Sequence, residues 1–138
     1  MFHLDEMRDE DYEQVVALWR TCEGLGEIET PDEFRRFLTR NAHLSVVARH
    51  TGAIVGAVFC GHDGRRGYLY HLAVAPGHRR HGIAEAMVER SLAQFEKLHI
   101  PRCSVHIYIG NESGQTFWKK IGWRERTDLK VFAKDLEK

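Results

Sequence analysis

The chain is poor in cysteine, carries no net charge, and contains neither a long apolar run nor a repeated or low-complexity tract. Each absence excludes something. Cys22, Cys60 and Cys103 are three in number, so they cannot all pair, and they lie far apart with no CxxC spacing. They read as reduced, mostly buried thiols. Twenty Lys and Arg balance twenty Asp and Glu, which argues against a dedicated nucleic-acid binder. No apolar stretch is long enough to span a bilayer. The start, MFHLDEMRDED, is too acidic and mixed for a signal peptide, so a cytoplasmic location without membrane partners is expected. Nine histidines are present but scattered, with no HExxH or Cys/His cluster, and no metal is expected.

What remains is ordinary material for a folded domain: 43% hydrophobic and 29% charged residues. The 138 residues read as one domain with its own core, residues 1–138.

Periodicity predicts the elements. Phe2 to Met7 reads as a short strand. Tyr12, Val15, Val16, Trp19 and Cys22 follow helical spacing, and Gly24 and Gly26 end that helix. Thr30-Pro31-Asp32-Glu33 predicts a second helix, with Thr30 as N-cap and Glu33 completing a capping box. Leu44 to Ala48 and Ala53 to Cys60 read as a hairpin, and Tyr68 to Ala75 as the next strand. Ile83 to His99 is a helix with Pro101 beyond its end, and Cys103 to Ile109 a buried strand. This strand–helix–strand unit predicts a parallel pair. A short helix from Asn111 to Ile121 and strands at 123–127 and 129–133 complete the chain. The expectation is an α/β fold: a mixed, mostly antiparallel sheet of about seven strands with about four helices.

The most informative stretch is Tyr70 to Ala84, YHLAVAPGHRRHGIA. The strand Leu72-Ala73-Val74 runs into Pro76-Gly77, and the basic loop Arg79-Arg80-His81-Gly82 opens directly into a helix. A helix start leaves N–H groups unpaired and carries partial positive charge, which suits a phosphate group. Gly82 lets the backbone approach a ligand, and the arginines add donors. Neither a Walker A loop nor a GxGxxG fingerprint is present. Arg79-x-x-Gly82-x-Ala84 after the LAV strand instead resembles motif A of the GNAT superfamily of acyl-CoA-dependent N-acetyltransferases, whose fixed positions are Gln or Arg, then Gly, then Gly or Ala. The resemblance continues through Asn111-x-x-Gly114-x-x-Phe117-Trp118-x-x-Ile121-Gly122-Trp123 and covers the chain in order, especially toward small bacterial members.

The resemblance implies a GNAT-like fold, splayed at the parallel pair, and acetyl-CoA as donor substrate. It places the pyrophosphate on the backbone of Arg80, His81, Gly82, Ile83 and Ala84, with Arg79 closing the loop and reaching phosphate. It places the pantetheine arm between strands 68–75 and 103–109, paired with Leu72, Ala73 and Val74. A β-bulge there would aim the Leu72 amide at the thioester carbonyl and stabilise the oxyanion. Asn111 and Trp118 fall at cofactor-side positions, although Asn111 equally suits a helix cap.

The acceptor side departs from the family pattern. Many relatives carry a base Glu near the start of the motif-A strand, where this chain has Tyr68-Leu69-Tyr70-His71. Imidazole is the side-chain type suited to a base near neutral pH, which makes His71 a candidate, and Tyr68 or Tyr70 can order a water; strand packing explains all three as well. Trp118 stands where relatives have the Tyr that protonates the leaving thiolate, and indole is no such acid. Tyr108 is one candidate substitute, although it equally fits a plain strand position; otherwise the thiolate leaves unaided or takes a proton from solvent. Residues 22 to 38, the start of the motif-A strand and the C-terminal hairpin should line the acceptor pocket. Glu23, Glu27 and Glu29 in that stretch suit a cationic amine, or are simply a solvated loop.

The implied activity is N-acetylation of a small amine, an amino-acid derivative or a protein amino group. An acyl-CoA-binding sensor without turnover is the alternative. Families of this kind often dimerise, so a homodimer is one expected assembly, although no segment declares an interface.

Overall fold

The computed structural model describes residues 1–137. Strands β1 (His3–Glu6), β2 (Val46–His50), β3 (Ala53–His62), β4 (Gly67–Val74) and β5 (Cys103–Val105) form one sheet in sequence order. Successive side chains on a strand point to opposite faces. Along β2 and β3, Val46, Ala48, Val58 and Cys60 enter one apolar cluster, while Val47, Ala57 and Phe59 enter another. A sheet apolar on both faces needs helices on both.

Two helices, α1 (Tyr12–Arg20) and α2 (Pro31–Arg40), bring Val15, Val16, Trp19 and Phe34 to the Val47 face. The other face is covered by α3 (Ile83–Lys97) and α4 (Glu112–Lys120), through Ile83, Met87, Val88, Phe95 and Trp118.

Local signals explain several boundaries. Thr30 Oγ1 accepts from the Glu33 amide at 3.2 Å, and Glu33 Oε1 accepts from the Thr30 amide at 2.8 Å, so the capping box forms as its sequence predicts. The β2–β3 hairpin turns on Thr51 and Gly52, both left-handed at φ 47° and 84°. This turn matches the twist of paired strands.

β1 to β4 pair antiparallel, and β4 pairs β5 in parallel, as expected of the crossover through α3. The strand count differs: the sheet has five strands, not about seven. The strand expected over 103–109 ends at Val105, and no residue from 121 to 137 lies in a strand. Leu129, Val131 and Phe132 are 57%, 74% and 92% exposed, so the apolar residues of the last expected strand, 129–133, lie out in solvent. A strand is stabilised by its neighbour, and a three-residue β5 offers little edge to template another. Arg126 instead folds onto Asp128, with Nε and Nη2 donating to its carboxylate at 2.9 and 3.0 Å.

Candidate active site

The parallel pairing of β4 with β5 is short. It joins Gly67 to Cys103, Tyr68 to Ser104 and Leu69 to Val105, and then stops. β4 continues to Val74, so its edge from Tyr70 onward has no strand beside it on that side. On its other side the register with β3 slips: Tyr70 faces Phe59, but Ala73 faces Ala57. Val58 therefore opposes both His71 and Leu72, which is a β-bulge. His71 takes φ 55°, a left-handed conformation that costs a residue with a side chain about 1–3 kcal/mol.

The chain leaves β4 through a helical turn at Pro76–His78 and reaches the basic loop. Arg80 and Gly82 are both left-handed, at φ 67° and 80°, and Gly82 is the N-cap of α3. The backbone amides of residues 80–84 meet no acceptor among the described residues. A Cβ built on Gly82 would find no heavy atom within 4 Å, so conformation, and not internal crowding, asks for glycine, and the space over the loop is open. Unpaired amides curled at a helix start, beside an unpaired strand edge, fit the diphosphate and extended arm of a CoA thioester.

Arg79 turns inward. Its Nε donates to the Val74 carbonyl at 3.1 Å, and its Nη2 lies 3.7 Å from Cys22 Sγ. It closes the loop onto β4 and reaches no loop anion site in this arrangement. Arg80 and His81 are exposed, and His81 lines an open cleft with Phe2, His50 and His78.

On the α1–α2 face, His71 Nε2 lies 2.9 Å from Glu29 Oε1. The two side chains are 11% and 28% exposed. The indole of Trp19 packs on the imidazole with ring centroids 4.7 Å apart. Tyr12 Oη donates to the Glu29 carbonyl at 2.8 Å and holds the loop in place. Glu23 and Glu27 are exposed, so only Glu29 of the three loop acids turns inward. Tyr68 and Tyr70 stack with centroids 6.2 Å apart. Burial, then Tyr68, pushes the Tyr70 phenol above its ordinary value, so at neutral pH it is a proton donor and not a base.

Tyr108 and Trp118 sit differently from their sequence expectation, while Asn111 takes the helix-cap position that its sequence equally suits. Tyr108 belongs to no strand and is 62% exposed, with its ring against the α1–α2 loop. A Cβ on Gly26 would stand 2.5 Å from its Oη. Asn111 caps α4, its Oδ1 accepting from the Gly114 amide at 3.0 Å, and its amide packs on Gly24. Trp118 is 7% exposed, its indole 4.5 Å from that of Trp123 and tilted by 59°, so it is a core residue.

The pairing of Glu29 with His71, 42 positions apart, is invisible to sequence spacing, as is the inward turn of Cys22 toward Val74. The acidic character of the loop was the only signal of the first. Cys60 and Cys103 are free thiols pushed up to about 12 by burial, and Cys22 is free and half-buried. Among the described residues no cluster of three His, Cys, Asp or Glu could hold a metal ion, and no helix is long and apolar enough to cross a membrane.

Comparison with known proteins bears on this geometry directly. Residues 9–123 match the model of the acetyltransferase (GNAT) family. The chain is 28% identical over 130 residues to acetyltransferase SG1711 of Sodalis glossinidius (strain morsitans), covering 94% of this chain and 92% of that one. It shares its fold with the ribosomal-protein-alanine N-acetyltransferase of Brucella melitensis biovar Abortus 2308, at TM-score 0.75 and 20% identity over 96% of this chain and 98% of the other. It also shares it with Rv2747 of Mycobacterium tuberculosis, solved in complex with CoA and NLQ, at TM-score 0.74 and 24% identity over 95% and 76%. With the family model spanning the bulged strand, the basic loop and α4, the chain belongs to the acetyltransferase (GNAT) family.

Proposed function

We propose that this protein transfers an acetyl group from acetyl-CoA to an amine by direct attack, with both substrates bound together. One observation carries the reading: β4 parts from β5 after Leu69, carries its bulge at His71 and Leu72, and leads into a loop of unpaired amides.

The amides of residues 80–84, with the N-terminus of α3 behind them, hold the diphosphate. Leu72, Ala73 and Val74 offer backbone groups to the pantetheine arm as they would to a further strand. The Leu72 amide polarises the thioester carbonyl and stabilises charge that develops on its oxygen. An alkylammonium, with an ordinary value of about 10.4, must first be deprotonated. His71 accepts that proton. The freed nitrogen pair forms a bond to the acetyl carbon, and the C–S bond breaks with its electron pair passing to sulfur. The second amine proton reaches the thiolate through solvent. One alkylammonium and one thioester thus give one amide, one thiol and one proton. Holding both reactants in a fixed geometry supplies much of the rate.

The inward Glu29 beside exposed Glu23 and Glu27 suits a cationic acceptor. The fold neighbour named for a ribosomal-protein alanine supports a protein or peptide amino group as one acceptor class.

Thermal unfolding with acetyl-CoA tests the donor, since a ligand of the folded state raises the midpoint. Thiol release across a panel of alkylamines, amino-acid amides and peptides tests the transfer. No midpoint shift at saturating acetyl-CoA sinks the donor assignment. A shift with no thiol release from any amine favours an acyl-CoA sensor.

A further inference from the structure

We infer that Glu29 is a positioning residue for His71: it holds the imidazole in the Nε2–H form and leaves Nδ1 as the nitrogen that takes the proton from the acceptor amine. The inference rests on the acetyl-transfer reading above.

The geometry supports it at each joint. Neutral imidazole carries one N–H, and its partner decides which nitrogen holds it. Glu29 Oε1 lies 2.9 Å from Nε2, and a carboxylate only accepts, so Nε2 is the donor. Nδ1 has no hydrogen-bond partner among the described residues, yet it is not an enclosed orphan, because the only such side-chain atom among them is Trp19 Nε1. A lone pair that is unpartnered and not sealed from solvent is what a base requires. His71 pays for its place with a left-handed backbone at the bulge, beside the Leu72 amide assigned to the oxyanion. Strain kept at such a point is a mark of function when the surroundings over-determine it. Here they do: the Trp19 indole lies 4.7 Å from the ring, tilted by 60°, and Phe59 lies 6.1 Å away.

Glu29 is itself fixed. Its residue precedes the Thr30 cap of α2, and the Tyr12 hydroxyl holds its carbonyl from α1. The carboxylate therefore approaches His71 from the end of the loop that both helices hold. As the imidazole becomes imidazolium, this carboxylate stabilises the new charge without moving.

The test combines a spectroscopic and a kinetic readout. Histidine nitrogen NMR in mildly alkaline buffer, above the ordinary histidine range, reads the tautomer directly. The wild-type chain should show His71 with Nε2–H, and Glu29→Ala should turn it into a mixture. In acetyl transfer, Glu29→Ala should lower kcat about tenfold to a hundredfold with little change in the KM for acetyl-CoA. Glu29→Gln, still an acceptor, should lose less. Glu29→Ala placed on His71→Ala should cost nothing further, since Glu29 acts only through His71. An Nδ1–H tautomer in the wild type, or full additive losses in the double variant, would overturn the inference. The NMR result decides the positioning role even if no amine on the panel is acetylated, so the two readings fail separately.

Discussion

Arg79 grips the end of the strand it follows: its Nε donates to the Val74 carbonyl at 3.1 Å. Val74 is also one of the residues proposed to pair with the pantetheine arm. The guanidinium therefore does two things in the free protein. It satisfies an edge carbonyl that has no strand beside it, and it ties the basic loop to β4. Donor binding either replaces this hydrogen bond with one from a pantetheine amide or uses the second lone pair of the carbonyl.

Arg79→Ala should weaken acetyl-CoA binding about three- to tenfold, because the loop loses its tether. Arg79→Lys should recover only part, since an ammonium lacks the rigid fork. Both should leave unfolding stability within ~1 kcal/mol, because the residue is exposed. Calorimetric titration checks the first claim and urea unfolding the second. Unchanged affinity in Arg79→Ala would remove Arg79 from the binding loop.

Gly82→Glu should abolish acetyl-CoA binding while leaving the circular dichroism of the fold largely intact. The substitution puts a negative side chain into the open space over the loop, at a φ of 80°. Gly82→Asn tolerates that conformation better and should keep measurable affinity. If Gly82→Glu bound acetyl-CoA normally, the diphosphate would lie elsewhere.

Asp11 is a stability residue. It is 4% exposed, accepts from the Arg8 amide at 2.8 Å, and pairs with Arg49 Nη2 at 3.1 Å. Asp11→Ala leaves Arg49 with only Asp5, 3.5 Å away, and should cost about 3 kcal/mol. A urea midpoint that falls with an unchanged slope is the expected outcome. A loss below ~1 kcal/mol would mean that Asp5 or water replaces the pair.

Thiol labelling should separate the three cysteines. Cys60 and Cys103 are held up at about 12, so almost none of either is thiolate at mildly alkaline pH. Iodoacetamide on the native chain should label Cys22 alone, and all three after denaturation. Labelling of Cys22 should slow with acetyl-CoA present, because its Sγ lies 3.9 Å from the Val74 carbonyl, on the strand edge proposed to pair with the pantetheine arm. Mass spectrometry reads each count. Fast native labelling of Cys60 would contradict its burial.

Local signals were legible in the residues. The Thr30–Glu33 capping box, the left-handed Gly82 at the start of α3 and the β2–β3 hairpin all follow from contacts within a few positions. So does the parallel β4–β5 pair, because a strand, a helix and a strand have few ways to close. The C-terminal strands misled, because β propensity at 123–133 says nothing about whether a neighbouring edge exists. Tyr108 alternates like a strand residue, but β5 ends at Val105 and leaves it on the α1–α2 loop.

The sequence by itself determined the glycine-containing basic loop, its strand and helix, and through them the family. Each depends on dihedral preferences and backbone hydrogen bonds set by adjacent residues. Only the tertiary structure decided which side chains meet on the α1–α2 face. Tyr68, Tyr70 and His71 are equivalent candidates along a strand, but the bulge and the face of the sheet send His71 alone to Glu29, across 42 positions. A side chain's proton chemistry is set by what folds against it, and that neighbour came from a loop whose three glutamates look alike until the chain closes.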